Sequence, residues 1–245
     1  CRPLIAKDET VYSALFNIEV QDWLQKKGKN FQPVDISILA SACIITGANM
    51  GGKTVLLKAV AVAQYLFQFG FYVPAAKAVI VPVQKVMCSF ESLSNIKSGL
   101  SSFATEIVRI SSILQTVKSN ANTLVLMDEP AQTTNPAEGA AIVSAIASIL
   151  QNNKIRSLIT THYSNVTGIF RRLNVKGLKV PPGETNITAE NITAYMDYSL
   201  EENTTGSAPL NAIQVAAMLG VDDELLDKAK EALQKSEFNN KENRQ

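Results

Sequence analysis

Cysteine is scarce in this sequence: three residues, Cys1, Cys43 and Cys88, in a chain of 245. They are far apart, odd in number and lack CxxC spacing, which excludes a disulfide framework and gives no zinc site. That usage fits a reducing compartment, so the expected location is cytoplasmic. Charge of one sign is lacking too. A formal net charge of +1 excludes a global basic field that would draw the chain to nucleic acid, and it excludes an acidic solvating tail. The short basic clusters Lys26-Lys27-Gly28-Lys29 and Arg171-Arg172 therefore read as solvated surface. Long apolar runs are missing as well. Residues 55–73 are interrupted by Lys58, Gln64, Gln68 and Gly70, so they read as a buried helix, not a membrane span, and no signal peptide is visible. Four Asn-x-Thr triplets, starting at Asn165, Asn186, Asn191 and Asn203, would matter only in a secreted protein.

What is present is 46% hydrophobic residues, enough for one large α/β domain with or without a small appendage. Residues 1–42 are mixed, with short strands expected around 11–18 and 36–39. Residues 43–46 form a short β-type run that ends at a glycine, and residues 54–68 carry apolar positions at helical spacing. Residues 78–86 read as strand or edge strand broken by Pro82, 94–102 as loop, and 105–118 as an amphipathic helix. Residues 123–127 are a buried strand. Asn135-Pro136-Ala137-Glu138 has the cap, first-turn proline and following acid of a helix start, for a helix running to about residue 151. Residues 157–161 are another buried strand, and 192–200 alternate like an antiparallel strand. This alternation predicts a mostly parallel sheet covered by helices on both faces. Two helices, 210–219 and 222–233, joined at Gly220, form a small helical appendage, followed by a polar, disordered tail.

Four groups of residues carry chemistry. The loop Gly47-Ala48-Asn49-Met50-Gly51-Gly52-Lys53-Thr54 sits between a buried strand and a helix. Polyphosphate needs converging N–H donors that side chains would obstruct, so such a loop needs glycines, with the following helix pointing its N-terminus at the anion. Lys53 would neutralise the β- and γ-phosphates and the Thr54 hydroxyl would ligate Mg²⁺. After the strand 123–127 come Asp128, placed to hold Mg²⁺ through water, and Glu129, placed to polarise an attacking water as general base. His162, the only histidine, ends the next strand, where ligands of open α/β sheets collect. It reads as a γ-phosphate sensor, against a purely structural histidine. Gly99-Leu100-Ser101-Ser102-Phe103-Ala104-Thr105-Glu106 opens a second helix, which is an anion site or an ordinary N-cap.

Together these residues resemble the C-terminal ATPase domain of the MutS family, a branch of the ABC-type ATPases. ITGANMGGKT is similar to that family's TGPNMGGK(S/T), and residues 68–75, QFGFYVPA, to its (Q/R)xGxxVPA. Residues 101–106, SSFATE, are similar to its STFxxEM, LVLMDEP to its LVLxDEx strand, and Thr160-Thr161-His162-Tyr163 to its TTH(Y/F). Residues 212–221 are similar to its GxxVAxLAGxP helix–turn–helix. The resemblance implies a P-loop nucleotide hydrolase fold of ABC type: an ATPase domain over 1–206, with 1–30 an incomplete N-terminal part, a dimerisation appendage over 207–236 and a tail over 237–245. It implies ATP and Mg²⁺ as cofactors and a homodimer whose sites are shared, Ser101 reaching the γ-phosphate bound to the other subunit. It also implies that Asn49 contacts phosphate, that Phe31 stacks on adenine, and that the terminal helices buttress the dimer.

One stretch departs. Where the family reads GRGTSxxDG, this chain has Pro130-Ala131-Gln132-Thr133-Thr134-Asn135-Pro136-Ala137-Glu138-Gly139. That variant resembles a divergent branch linked to ATPases that reactivate adenosylcobalamin-dependent amino acid aminomutases. The leading expectation is an ATP-driven dimeric switch of the mismatch-repair type, with DNA reached only through domains upstream of Cys1. The alternatives are a reactivase whose partner is an aminomutase, and a small-molecule kinase, against which the Ser101 signature and terminal helices speak.

Overall fold

Apolar residues in strands β4 (Ala42–Thr46), β7 (Thr123–Met127) and β8 (Arg156–Thr160) point alternately to two faces, and both faces are covered. Cys43, Ile45, Leu124, Leu126 and Leu158 join one core with helix α2 (Lys53–Gln68). Ala42, Ile44, Val125, Met127 and Ile159 join another with α3 (Ser102–Ser119) and α4 (Pro136–Asn152). Nearly unbroken apolar strands are what burial on both sides requires. The computed structural model describes residues 1–48, 50–90, 102–120, 122–180, 187–188, 191–203 and 212–242.

The main sheet has six strands in the order β10-β9-β4-β8-β7-β6, with β6 at Lys85–Ser89, β9 at Arg171–Leu178 and β10 at Met196–Glu202. The pairs from β9 to β6 are parallel, and β10 runs antiparallel to β9. The mostly parallel sheet expected from sequence is therefore accompanied by a second one. Strands β1 (Leu4–Ile5), β5 (Lys77–Ile80), β2 (Thr10–Leu15) and β3 (Val34–Ile38) form a four-stranded mixed sheet in the order β1-β5-β2-β3. Its Tyr12, Leu15, Val34, Ile36 and Ile38 pack into the core on the α2 side. The single strand expected over 78–86 is two strands in two sheets. Pro82, which has no N–H to give a ladder, lies in the crossing between them.

Helix α1 (Ile18–Lys26) was not expected. It starts at Asn17, whose side chain accepts from the Val20 N–H at 3.1 Å and whose amide donates to the Val55 carbonyl of α2 at 3.4 Å. Strand β9 also escaped the reading, and with it the role of its basic pair. Arg171, expected on solvated surface, donates to the Ser37 carbonyl at 2.7 Å and to Glu202 at 2.7 Å, tying β9 to β3 and β10. Arg172 donates to the Val166 carbonyl at 2.7 Å. The start of α4 follows expectation: the Asn135 side chain accepts from the Ala137 N–H at 2.9 Å, with Pro136 in the first turn. Near the end of the chain, α5 (Ala212–Met218) and α6 (Asp223–Glu242) flank Gly220, and α6 continues beyond residue 233 into the polar segment. Among the described residues no helix is long and apolar enough to cross a membrane.

Candidate functional site

The loop after β4 turns into α2 at Gly52, whose φ of 71° lies in the left-handed region and which faces the Tyr198 ring. Glycine holds that conformation without strain, so the next residue, Lys53, is already helical. Lys53 is 4% exposed. Its ammonium donates to the carbonyls of Gly47 at 2.8 Å and Ala48 at 3.2 Å and lies 3.2 Å from Glu129 Oε1. A buried lysine must have such partners. These partners are all oxygens, the same chemistry that phosphate would offer the ammonium in their place.

The ends of β7 and β8 meet the start of α2. Asp128, just after β7, accepts from the Thr54 hydroxyl at 2.7 Å on one carboxylate oxygen and from the Thr160 hydroxyl at 2.7 Å on the other. Thr160 is fully buried at the end of β8, and its Oγ1 also accepts from the Glu129 N–H at 2.9 Å. Glu129 stands at φ 44°, a conformation a side chain adopts only under constraint. Its second carboxylate oxygen lies 3.6 Å from His162 Nδ1, and the His162 side chain is 42% exposed. Lys53, Thr54, Asp128, Glu129 and His162 are thus one cluster at the carboxyl ends of three parallel strands. Thr54 and Asp128 present hard oxygen donors of the kind a Mg²⁺ ion takes.

Beside the loop lies a cavity of about 850 Å³ whose wall includes Phe31, Met50, Gly51, Gly52 and Tyr198. The segment carrying Phe31 is fastened to β10 by its neighbour Gln32, which donates to Asp197 Oδ1 at 3.0 Å and accepts from the Tyr198 N–H at 3.1 Å. The Ser199 hydroxyl, the Gln32 amide and the Ser199 N–H hold the Asp197 carboxyl down to about 2. Of the expected site residues, Asn49 and Ser101 lie outside the described residues.

Sequence reasoning did not assign roles to Thr160, Gln32 or the Tyr163 hydroxyl. The signal for Thr160 was a hydroxyl that follows Leu158 and Ile159 at the end of a buried strand, where it must find partners. Tyr163 is buried, and its hydroxyl donates to the Ala131 carbonyl at 2.7 Å. Burial first, then the carboxylates Glu106 and Glu129, push that phenol up.

The family model of MutS domain V matches residues 43–237. A DNA mismatch repair protein MutS from Treponema denticola is 38% identical over 141 residues, 57% of this chain and 16% of that protein. An endonuclease MutS2 from Lachnoclostridium phytofermentans is 34% identical over 206 residues, 83% of this chain and 25% of that protein. A DNA mismatch repair protein MutS from Clostridium perfringens is 32% identical over 199 residues, 80% of this chain and 21% of that protein. The chain spans a quarter or less of the length of these relatives.

Proposed function

Because this chain belongs to the MutS family through its domain V, we propose that it binds and hydrolyses ATP, with Mg²⁺, as one half of a dimeric switch. The single observation that carries this reading is the joining of Lys53, Thr54, Asp128 and Glu129 by contacts of 2.7 to 3.2 Å across three separate elements. In this reading Lys53 exchanges its carbonyl and carboxylate partners for β- and γ-phosphate oxygens, and the N-terminus of α2 faces the same anion. Thr54 and Asp128 hold Mg²⁺, which when bound neutralises charge on the phosphates. Glu129, released from Lys53, takes a proton from the water that attacks the γ-phosphorus, and ADP leaves with the bridging oxygen. His162 is positioned to report on the γ-phosphate, and Phe31 to stack on the base in the neighbouring cavity.

The output is a finer question. The relatives named for DNA mismatch repair and endonuclease activity favour work on DNA. The turn from Pro130 to Gly139 favours reactivation of a cobalamin-dependent aminomutase. Salt-sensitive, mismatch-selective DNA binding by the full-length protein would select the first and exclude the second.

The test of ATPase chemistry is Glu129→Gln. ATP binding should persist while turnover falls by roughly 10²–10⁴-fold, the range for a general base. Turnover near that of the wild type would remove Glu129 from the role.

A further inference from the structure

Two residues beyond Glu129 the chain stands in the left-handed region again, at Ala131, φ 63°. A non-glycine residue holds that conformation only when its surroundings impose it, so something must fix it there. Ala131 is fully buried, and both of its peptide groups are gripped from other elements. Its N–H donates to Glu106 Oε1 of α3 at 3.1 Å. Its carbonyl accepts from the Tyr163 hydroxyl at 2.7 Å.

Tyr163 is itself tightly placed. A Cβ at Gly139 in α4 would be driven into the Tyr163 hydroxyl and ring, so only glycine lets the tyrosine reach Ala131. The Tyr163 N–H donates to Thr161 Oγ1 at 3.1 Å, and its ring lies 4.3 Å from that of His162. The turn after β7 is therefore pinned at one residue by α3 from one side and by the segment after β8 from the other. Glu129 hangs between two fixed points: its own N–H on Thr160 and the pinned Ala131.

We propose that Glu106 and Tyr163 are positioning residues for the hydrolysis of ATP, holding Ala131 in its left-handed conformation and so fixing the direction in which the Glu129 carboxylate points. This inference rests on the ATPase reading above. It adds a consequence: any movement of α3 is passed to the catalytic carboxylate through the Glu106–Ala131 hydrogen bond, without touching the nucleotide-binding residues Lys53, Thr54 or Phe31.

The experiment uses the 245-residue chain and four variants, Glu106→Ala, Glu106→Gln, Tyr163→Phe and the control Glu129→Gln. ATP turnover, KM for ATP, thermal midpoint and the exchange rate of the Ala131 amide without nucleotide are measured for each. Glu106→Ala should lower kcat by about tenfold or more, because small misplacement of a catalytic group is costly. KM should stay within about twofold, because binding groups are untouched. Glu106→Gln should restore kcat, since its side-chain carbonyl accepts the same N–H. Tyr163→Phe, which deletes only the hydroxyl, should lower kcat with KM unchanged. The Ala131 amide should exchange faster in Glu106→Ala and Tyr163→Phe. Wild-type kcat in both, or an unchanged amide rate, overturns the inference. So does a parallel change of kcat and KM that follows the thermal midpoint, which is what a merely structural role gives. If Glu106→Ala does not fold, the glutamine and phenylalanine variants decide. Absence of turnover in the wild type removes the ATPase reading and this inference with it. Turnover in the wild type with unaffected variants removes this inference alone.

Discussion

Thr160 has one hydroxyl and uses it twice, accepting from the Glu129 N–H at 2.9 Å and donating to Asp128 Oδ1 at 2.7 Å. Its side chain thus touches both acids, and it is fully buried. Thr160→Val keeps the shape and deletes both bonds. Groups left unsatisfied in a buried position cost about 1–3 kcal/mol, so urea denaturation should show a loss of that size with an unchanged m-value. A loss below about 0.5 kcal/mol would mean that water replaces the hydroxyl and that the acids are not fixed by it. Gly139→Ala tests the opposite kind of fault, excess volume. The added methyl meets the Tyr163 ring, and because that ring is wedged under Ala131 it has no free path of retreat. Overpacking of this kind costs typically 1–3 kcal/mol, so the thermal midpoint of Gly139→Ala should drop, and the same substitution made in a Tyr163→Ala background should cost less.

At the scale of elements, β10 is shaped by a side chain. Asp197 accepts from the Ser199 hydroxyl at 2.6 Å and the Ser199 N–H at 3.0 Å, and between Asp197 and Leu200 the register against β9 shifts. Those bonds favour the charged carboxyl, led by the Ser199 hydroxyl, and lower it from 3.8 to about 2. A group lowered in the folded state lends stability that is complete above its unfolded value and fades as pH falls from 3.8 through about 2. Ser199→Ala should therefore raise the Asp197 titration, read by carboxyl NMR, and lower stability near neutrality, a loss that shrinks as pH falls from 3.8 through about 2. An Asp197 titration unmoved by Ser199→Ala would discard the assignment. The elements that sequence made legible are those with a local signal. The run at β4 stops at a glycine, β7 is uniformly apolar, and α4 carries its Asn-Pro cap. Strand β9 was not legible because only two apolar residues, Leu173 and Val175, stand between the basic pair that opens it and Gly177, and its partner β4 lies far off in sequence. The second sheet was missed for a related reason. Periodicity can mark residues 77–89 as extended but cannot say that Pro82 divides them between two sheets. The candidate site splits the same way. Lys53, Thr54, Asp128 and Glu129 sit in contiguous motifs, whereas the roles of Thr160 and Tyr163 exist only through partners 31 and 32 residues away.

At the scale of the whole molecule, the cluster is walled unevenly. Lys53 is buried on the loop side, yet the His162 side chain is 42% exposed and Thr54 is open to solvent. A hydrolase that directs one chosen water must exclude the rest from its γ-phosphate. The described residues of this chain leave that side uncovered, so the dimeric reading has a physical task for the second copy: to close the open face. If Ser101 completes the partner's site, as the family resemblance implies, each chain of a two-fold pair offers one Lys53 side and one Ser101 side, and two equal sites form. The arithmetic of mixing follows. Lys53→Ala and Ser101→Ala homodimers each have two damaged sites. A mixed dimer has one site with both defects and one site with neither, built from Lys53 of one variant and Ser101 of the other. With random pairing at equal concentrations, half of the dimers are mixed and half of their sites are intact, so ATP turnover should recover to about a quarter of the wild-type rate per chain. Sites contained within single chains give no recovery, and the mixture then shows only the mean of its two components. Turnover is followed against total concentration as well, because recovery that depends on pairing must fall on dilution, whereas a site complete in one chain is indifferent to it.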